Sequence, residues 1–159
     1  MKRNYDNASR LMHEANRVFA FASGCVQSNV VRELQRLFFY DSVLICDIGG
    51  EDEFYSALKT ANKDDLFIFV SLSGESHYVT EFSQQLQLKG IPLISITTFH
   101  ENTLASCSTE NLYIFSKEFP INSPEQISFK SMFTYFLLLE IWYVNYRIYV
   151  QNQDSKEKS

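Results

Sequence analysis

Three serines and a glycine lie close together in the stretch FVSLSGESHYVTEF, where an apolar run gives way to a helical pattern. They are Ser71, Ser73, Gly74 and Ser76. Hydroxyl groups, a glycine that permits close backbone approach and the free N–H groups of a helix N-terminus can together bind an anion. Such a seat holds a phosphate without lysine or arginine, because hydrogen-bond donors and the helix dipole replace the formal charge. Four such bonds at about 1.5–3 kcal/mol each, less the cost of immobilising the ligand, give an affinity on the order of micromolar to millimolar.

A second and weaker candidate loop is ASGCVQS, residues 22–28, which also combines hydroxyls, a glycine and the start of a helix. Ordinary loop chemistry is the competing interpretation for both loops, because serines are common in turns. Ser76 would then only cap the helix whose apolar stripe begins at Val79. Neither loop carries the GK[ST] motif of nucleotide hydrolases.

The elements that must position these loops follow from the apolar pattern, in which short apolar runs alternate with amphipathic stretches. Strands that are apolar throughout and separated by helices indicate a parallel sheet covered on both faces. The sequence therefore predicts an α/β fold, a three-layer, doubly wound, five-stranded parallel sheet with a long C-terminal helix. The predicted strands are 17–23, 42–47, 66–71, 92–97 and 111–115, and the main helices are 29–39, a helix from 51, one from about 77 to Gly90, 103–107 and 127–150. Residues 116–126 are expected to be a loop.

The sheet fixes where a ligand would bind and how the chain is organised. In an open parallel sheet, ligands bind beyond the carboxyl ends of the strands, where both candidate loops fall. We expect one domain over residues 1–151 and a disordered tail over residues 152–159. The last helix is apolar nearly all round, so it either meets a second subunit or packs deeper into its own domain.

Composition narrows the class of protein. The chain of 159 residues has a net charge of −5 and a pI near 5.2, which argues against a surface that binds nucleic acid by itself. Glu140, Asn145 and Arg147 interrupt the single membrane-like stretch, and the N-terminus lacks the apolar core of a signal peptide, so a cytoplasmic protein without membrane contact is expected. The cysteines and histidines lack metal-ligand spacing, which predicts buried, reduced thiols and no metal or other cofactor; the cysteines are Cys25, Cys46 and Cys107.

Residues 65–105 resemble the centre of a sugar isomerase (SIS) domain. That family carries a loop S-x-S-G-[ET]-[ST], a helix that ends in Lys-Gly, a strand that ends in Ile-Thr and a short Leu-Ala helix. The corresponding residues here are 71–76, Lys89-Gly90, Ile96-Thr97 and Leu104-Ala105. The opening EANRVFAFASG and the aromatic last helix are most similar to the effector domain of RpiR/MurR-type transcription regulators, and the similarity covers roughly residues 15–151.

This resemblance implies a domain that binds a sugar phosphate or amino-sugar phosphate and assembles as a homodimer or tetramer. DNA would be contacted only through a helix-turn-helix domain, for which the residues before Arg17 are too few. The resemblance assigns the grip on the phosphate to the serine loop, with Gly74 and Glu75 shaping its turn, and a supporting role to the first loop. The implied ligand-binding residues are Ser71, Ser73, Gly74, Glu75, Ser76, Ser23, Gly24 and Cys25.

The first loop departs from the family pattern. Its usual form is G-x-G-x-S, whereas here Ala22 replaces the first glycine and Val26 replaces the serine. One expected hydroxyl is therefore missing, which leaves room for an altered or lost ligand.

Three functions remain open from the sequence. The favoured one is a non-enzymatic sensor that binds a phosphosugar and shifts the arrangement of a dimer. An aldose–ketose isomerase of the same superfamily would need a carboxylate or imidazole beside the substrate, and the candidates are Glu75, His77 and Glu140. We expect His77 on a helix surface and Glu140 paired with Arg147, which argues against the enzyme. The third hypothesis is an interaction module that has lost its ligand. It is suggested by Val26, which replaces the serine of the family pattern in the first loop.

Overall fold

Five parallel strands form the central sheet in the order β2-β1-β3-β4-β5. The structure is a computed structural model and describes residues 5–158. The strands are β1 (Val18–Ser23), β2 (Ile45–Ile48), β3 (Leu66–Ser71), β4 (Leu93–Thr98) and β5 (Glu110–Ile114). A separate hairpin consists of β6 (Glu118–Pro120) and β7 (Ser128–Lys130). The helices are α1 (Asp6–Glu14), α2 (Cys25–Phe39), α3 (Glu51–Leu58), α4 (His77–Leu88), α5 (Thr103–Cys107) and α6 (Phe133–Glu157).

Helices cover both faces of the sheet, which confirms the predicted three-layer, doubly wound fold. One core joins the sheet to α1, α2 and α6, and the other joins it to α3, α4 and α5. The central strand β3 is buried along its whole length because its side chains alternate between the two cores: Ile68 and Val70 enter the first, and Phe67 and Phe69 enter the second. This packing fixes the carboxyl end of β3, from which the serine loop begins.

Two boundaries differ from the prediction in a way that affects the site. Helix α2 begins at Cys25, four residues before the predicted start, so that Cys25 and Val26 belong to its first turn. The second strand is limited to Ile45–Ile48 because β2 is an edge strand and pairs with β1 only over those residues.

The segment between β5 and α6 was predicted as a loop followed by helix from residue 127, and this prediction is wrong. Residues 118–120 and 128–130 instead pair as the antiparallel hairpin β6–β7. Ile127 and Phe129 have the spacing of a strand, but together with the apolar residues of α6 they also extend a helical stripe. Pairing with Phe119 on the opposite strand decides between the two.

Helix α6 is buried on one side only, where it packs against α1, α2 and the sheet. Its buried residues are Tyr135, Leu138, Leu139, Trp142 and Tyr146. A second stripe of large apolar residues, which we call the outer stripe, is exposed along the helix and comprises Phe133, Leu137, Ile141, Val144 and Ile148. The alternative in which α6 is buried all round within its own domain is therefore wrong. Within residues 5–158 no helix has the length and hydropathy needed to cross a membrane.

The end of α6 also lies beyond its predicted limit. Residues 152–157, expected as part of a disordered tail, continue the helix to Glu157, while Ser159 lies outside the described residues. The sequence QNQDSKE offers no proline or glycine to stop a helix, so its polarity alone does not end α6.

An ion pair joins the start of β1 to the start of β3. Arg17 donates from Nε and Nη2 to the carboxylate of Asp65 at 3.0 and 2.6 Å, and the Asn62 N–H donates to the same group at 3.0 Å. Asp65 is buried, while Arg17 is partly exposed. The hydrogen bond from Arg17 in particular holds the pKa of Asp65 below its usual value of 3.8. Asp65 therefore contributes stability as an anion.

We expect Asp65→Asn to lower the free energy of unfolding by about 1–3 kcal/mol at neutral pH, because the Arg17 and Asn62 donors lose a charged acceptor. Since the pKa is lowered by folding, this stability is present above the ordinary aspartate pKa and is lost as the pH falls through the folded-state value. Urea unfolding of wild type and variant at several pH values between neutral and acid measures the difference, which should shrink in acid. Asp64→Asn, at an exposed neighbour, is the control with the same change in charge. A constant difference at every pH would contradict the assignment.

Candidate functional site

The two candidate loops follow neighbouring strands at the point where the strand order reverses. From β1 the chain crosses through α2 to β2 at one edge, and from β3 it crosses through α4 toward β4 and the other edge. Helices α2 and α4 lie on opposite faces of the sheet, so the two loops diverge above its edge, and we call the space between them the crevice. Ser23 and Ser71, the last residues of β1 and β3, are paired in register beneath this crevice.

A direct hydrogen bond joins the two loops. The hydroxyl oxygens of Ser23 and Ser76 lie 2.8 Å apart, although 53 positions separate these residues in sequence. Ser76 occupies the N-cap position of α4 with extended backbone angles, yet its side chain makes no capping hydrogen bond. The alternative in which Ser76 only caps α4 is therefore wrong. Its hydroxyl instead lies between the two loops, at the mouth of the crevice.

The N-termini of α2 and α4 both open at this bridge. Gly24 is the N-cap residue of α2 and, like Ser76 on α4, provides no side-chain cap. The first backbone bonds of the two helices run from Ser28 N–H to the Gly24 carbonyl and from Thr80 N–H to the Ser76 carbonyl. The N–H groups of the preceding first turns have no acceptor within their helices. Two positive helix ends therefore converge on one crevice, which suits an anion.

The three serines of the second loop have different roles. Ser71 is buried, and its hydroxyl oxygen accepts the Gly74 N–H at 3.0 Å, so it shapes the turn from within. Ser73 is exposed, and its hydroxyl oxygen accepts the Glu75 N–H at 3.2 Å, which leaves the hydroxyl proton to donate outward. Ser76, half-buried, faces Ser23. Ser73 and Ser76 are thus the hydroxyls that a ligand in the crevice could reach.

Glu75 fastens the serine loop to α5. Its carboxylate accepts the Thr103 N–H at 2.6 Å and the Thr103 hydroxyl at 2.9 Å. The side chain of Asn102 caps the same helix by accepting the Ala105 N–H at 2.8 Å, and it packs directly against Gly74. Gly74 has φ of +71°, in the left-handed region that favours glycine. The sequence assigned Glu75 to the turn, and this contact shows how it holds the turn in place.

His100 holds the loop from the side of β4. Its Nε2–H donates to the Ser73 carbonyl at 2.9 Å, and its Nδ1 lies 2.9 Å from the hydroxyl oxygen of Thr98. The Thr98 hydroxyl is also 2.7 Å from the Leu72 carbonyl. The carbonyls of Leu72 and Ser73 are therefore both bound from the side of β4, which fixes the backbone of the serine loop.

Tyr135 supports the loop from below. Its buried hydroxyl donates to the Ser71 carbonyl at 3.0 Å, and burial raises its pKa to about 12, so it remains a neutral donor. Gln27, buried in the first turn of α2, hydrogen-bonds to the same tyrosine. Helix α6 is thus connected directly to the serine loop.

A cavity of about 430 Å³ opens beside Ser73, on the side of the loop away from the Ser23–Ser76 bridge. We call it the hairpin cavity, because β6 and β7 form its outer wall. It is lined by Leu72, Ser73, Thr98, Phe99, His100, Ile114, Phe115, Ser116, Glu118 and Lys130.

The residues considered for catalysis lie apart from one another. His77 is exposed, as predicted, and lies 3.4 Å from Glu81 on the surface of α4. Glu140 is exposed on α6. Its predicted pairing with Arg147 is wrong, because Glu140 and Arg147 are seven positions apart on α6. The Arg147 Nε instead lies 3.4 Å from Asp41, which follows the end of α2.

The cysteines also differ from expectation. Cys25 and Cys46 are exposed and Cys107 is partly exposed, so the prediction of buried thiols is wrong. Cys46 lies on an edge strand, and Cys25 opens α2 at the rim of the sheet, where no core covers either residue. Among residues 5–158, no group of three or more histidine, cysteine and acidic side chains is arranged to hold a metal ion.

Sequence reasoning did not assign a role to the loop after β4, which supplies Thr98, His100 and Asn102 to the site. The sequence does contain a signal for this loop, since polar residues directly after a buried strand are the pattern from which Ser73 was predicted. Gln27 and Tyr135 carry no such signal, since a polar atom inside an amphipathic helix is recognised only once its packing is known.

Comparison with known proteins agrees with this architecture. The model of the SIS domain family matches residues 11–144 of the chain. The HTH-type transcriptional regulator GlvR of Bacillus subtilis (strain 168) is 32% identical over 148 residues, which are 93% of this chain and 56% of GlvR. The chain therefore spans a little more than half the length of this relative.

Solved structures show the same fold. The Vibrio vulnificus NanR protein complexed with ManNAc-6P superimposes with a TM-score of 0.72 at 20% identity, over 95% of this chain and 58% of that chain. The sugar isomerase domain of the RpiR transcription factor from Sphaerobacter thermophilus has a TM-score of 0.74 at 13% identity, over 95% and 85% of the two chains. A phosphoheptose isomerase from Francisella tularensis is also among the structures that share this fold. At these identities the likeness shows the fold alone.

Proposed function

The chain belongs to the SIS domain family, and from this premise we propose that it is a phosphosugar-binding effector domain of an RpiR-type transcriptional regulator. The observation that carries the proposal is the Ser23–Ser76 hydrogen bond, which joins two uncapped helix N-termini in the crevice at the strand reversal. The phosphate of a sugar phosphate or amino-sugar phosphate occupies that crevice. Ser73, Ser76 and the first-turn N–H groups of α2 and α4 donate to it.

The departure in the first loop is compatible with this role. Val26 lies in the first turn of α2, where its N–H group, rather than its side chain, is what an anion contacts. Ser23 brings a hydroxyl to the same crevice through its contact with Ser76. Three hydroxyls, those of Ser23, Ser73 and Ser76, and two helix ends therefore remain for the phosphate without a serine at position 26.

A sensor fits the site better than an isomerase. Proton transfer between two sugar carbons requires a base within hydrogen-bond reach of the substrate. Both oxygens of Glu75 already accept hydrogen bonds from Thr103, and His77 and Glu140 are exposed on helix surfaces. The similarity to GlvR supports the same choice, and DNA contact would then come from a separate helix-turn-helix domain.

Thermal shift against a panel of ligands tests the proposal. The panel consists of glucose 6-phosphate, fructose 6-phosphate, ManNAc-6P, arabinose 5-phosphate and inorganic phosphate, each at millimolar concentration. A ligand present at about 100 times its Kd adds roughly 2.7 kcal/mol of stability, which for a domain of this size raises Tm by roughly 5–10 °C. No stabilisation by any member would contradict phosphosugar binding and favour the ligand-free interaction module. Conversion of an aldose to a ketose phosphate, followed by NMR, would favour the isomerase.

The proposed assembly is a homodimer formed through α6. The five residues of the outer stripe are spaced four, four, three and four positions apart, so they form one continuous apolar band. Exposed apolar bands of this kind mark contact surfaces, and a second copy presents an identical band. The outer stripe lies on α6, which also supports the serine loop through Tyr135. The same helix would therefore contact both the ligand site and the second subunit.

We expect Ile141→Glu to shift the protein from dimer to monomer, because a carboxylate at the centre of the outer stripe would be buried without a partner. Sedimentation velocity at micromolar concentration measures the change. Leu88→Glu is the control, since Leu88 is 81% exposed on α4 and lies outside the outer stripe. A dimer that persists with glutamate at position 141 would place the contact elsewhere.

A further inference from the structure

The hairpin cavity adjoins the proposed phosphate seat but is built from different elements. Ser73 belongs to both, because its hydroxyl lies in the serine loop and its residue lines the cavity. The other walls come from the carboxyl ends of β4 and β5 and from the hairpin. The cavity's volume of about 430 Å³ is within the range of small-molecule sites. If a ligand is anchored beside Ser73, the rest of the molecule can therefore extend into the hairpin cavity.

The hairpin turns its charged residues toward the cavity. Glu118 and Lys130 are directly paired across β6 and β7, and their side chains lie 3.3 Å apart. Phe119 and Phe129, the next pair, do not line the cavity, because successive side chains of a strand point to opposite faces. The cavity wall thus offers a carboxylate to accept hydrogen bonds and an ammonium group to donate them.

The opposite wall is aromatic. Phe99 and Phe115 are 65% and 64% exposed, their ring centroids lie 5.5 Å apart, and Tyr113 meets Phe99 edge-on at 5.1 Å. Large aromatic rings exposed at the mouth of a cavity, rather than scattered over a surface, are typical of binding sites. A sugar ring matches both walls, because it has apolar C–H faces and hydroxyls around its edge.

We infer that the hairpin cavity receives the carbohydrate part of the phosphosugar and determines which sugar is bound. This inference rests on the proposed function. The ester oxygen passes Ser73, the C–H face of the sugar packs on Phe99, and its hydroxyls exchange hydrogen bonds with Glu118 and Lys130. His100 forms part of the cavity floor and, through the Ser73 carbonyl, holds the boundary between the phosphate seat and the sugar subsite.

The test compares sugar phosphate with inorganic phosphate, since only the sugar phosphate has a part that can occupy the cavity. Isothermal titration calorimetry measures Kd for inorganic phosphate and for the panel member that stabilises the wild type most. In Phe99→Ala, we expect the affinity for the sugar phosphate to fall about tenfold, while the affinity for inorganic phosphate is unchanged. Lys130→Met, which keeps the length of the side chain, should have the same selective effect through the other wall.

Phe129→Ala is the matched control, because it removes an aromatic ring from the face of the hairpin that does not line the cavity. The inference would be overturned if the sugar phosphate bound equally tightly to wild type, Phe99→Ala and Lys130→Met. That result would leave the proposed phosphate site unaffected. A wild type that binds the sugar phosphate no more tightly than inorganic phosphate would overturn the inference too. A wild type that binds neither would contradict the proposed function itself.

Discussion

Ser73→Asp should abolish ligand binding while the protein remains folded. Ser73 is exposed and its hydroxyl oxygen accepts the Glu75 N–H, so its proton is available to a ligand and a carboxylate at this position would face the proposed phosphate. Two like charges about 4 Å apart near a protein surface repel by about 4 kcal/mol, which corresponds to a loss of affinity of roughly 1,000-fold. Thermal shift with the best ligand of the panel should therefore show no stabilisation. The free energy of unfolding of the unliganded protein should change by no more than about 0.5 kcal/mol.

Two further variants separate the effect of position from the effect of charge. Ser73→Ala removes a single hydrogen bond to the phosphate and should weaken binding about tenfold. Ser155→Asp adds the same charge at an exposed position near the end of α6 and should bind as the wild type does. Retained binding in Ser73→Asp would show that the serine loop is not the seat of the phosphate.

Gly74→Ala is the substitution for which we expect the greatest loss of stability. Gly74 has φ of +71°, and a Cβ there would overlap Oδ1 of Asn102, the atom that caps α5 through the Ala105 N–H. The left-handed backbone costs alanine about 1–2 kcal/mol, and loss of the cap costs about 1 kcal/mol more. We therefore expect the free energy of unfolding, measured in urea, to fall by about 2–3 kcal/mol.

Gly90 supplies a matched control for this prediction. It has a similar φ of +65°, but an added Cβ would meet no atom within 4 Å. Gly90→Ala therefore measures the backbone strain alone, about 1–2 kcal/mol, and the difference between the two variants measures the contact with Asn102. Equal losses would mean that the serine loop moves away from α5 at no cost and is not clamped as described.

The architecture of this protein was predictable because its core strands are apolar without interruption. LFIFVS has no polar residue until Ser71, and a short apolar run of this kind, rich in aromatic and β-branched residues, favours the centre of a sheet covered on both faces. The short helix at residues 103–107 and the helix after Gly49 and Gly50 were also found, since each has local start signals. The serine loop could also be located from the sequence, because its pattern is local and confined to six consecutive residues.

The parts that were missed depend on contacts between distant residues. The hairpin is decided by pairing across about ten positions, and Ile127 and Phe129 fit a helical stripe equally well until Phe119 is known to lie opposite. The contact of His100 with the Ser73 carbonyl joins two loops that only the order of the sheet brings together. Cys25 and Cys46 were expected to be buried because cysteine is usually a buried residue type. Both are exposed because Cys25 lies at the rim of the sheet and Cys46 lies on its edge strand.

The hydrogen bond from Tyr135 to the Ser71 carbonyl has a thermodynamic consequence for a sensor of the proposed kind. It connects the floor of the phosphate seat to the helix whose far side carries the outer stripe. If occupancy of the proposed seat favours assembly through α6, then assembly must raise ligand affinity by the same coupling free energy, because linkage is reciprocal. Ligand affinity would then depend on protein concentration, and dilution alone would act as a negative effector.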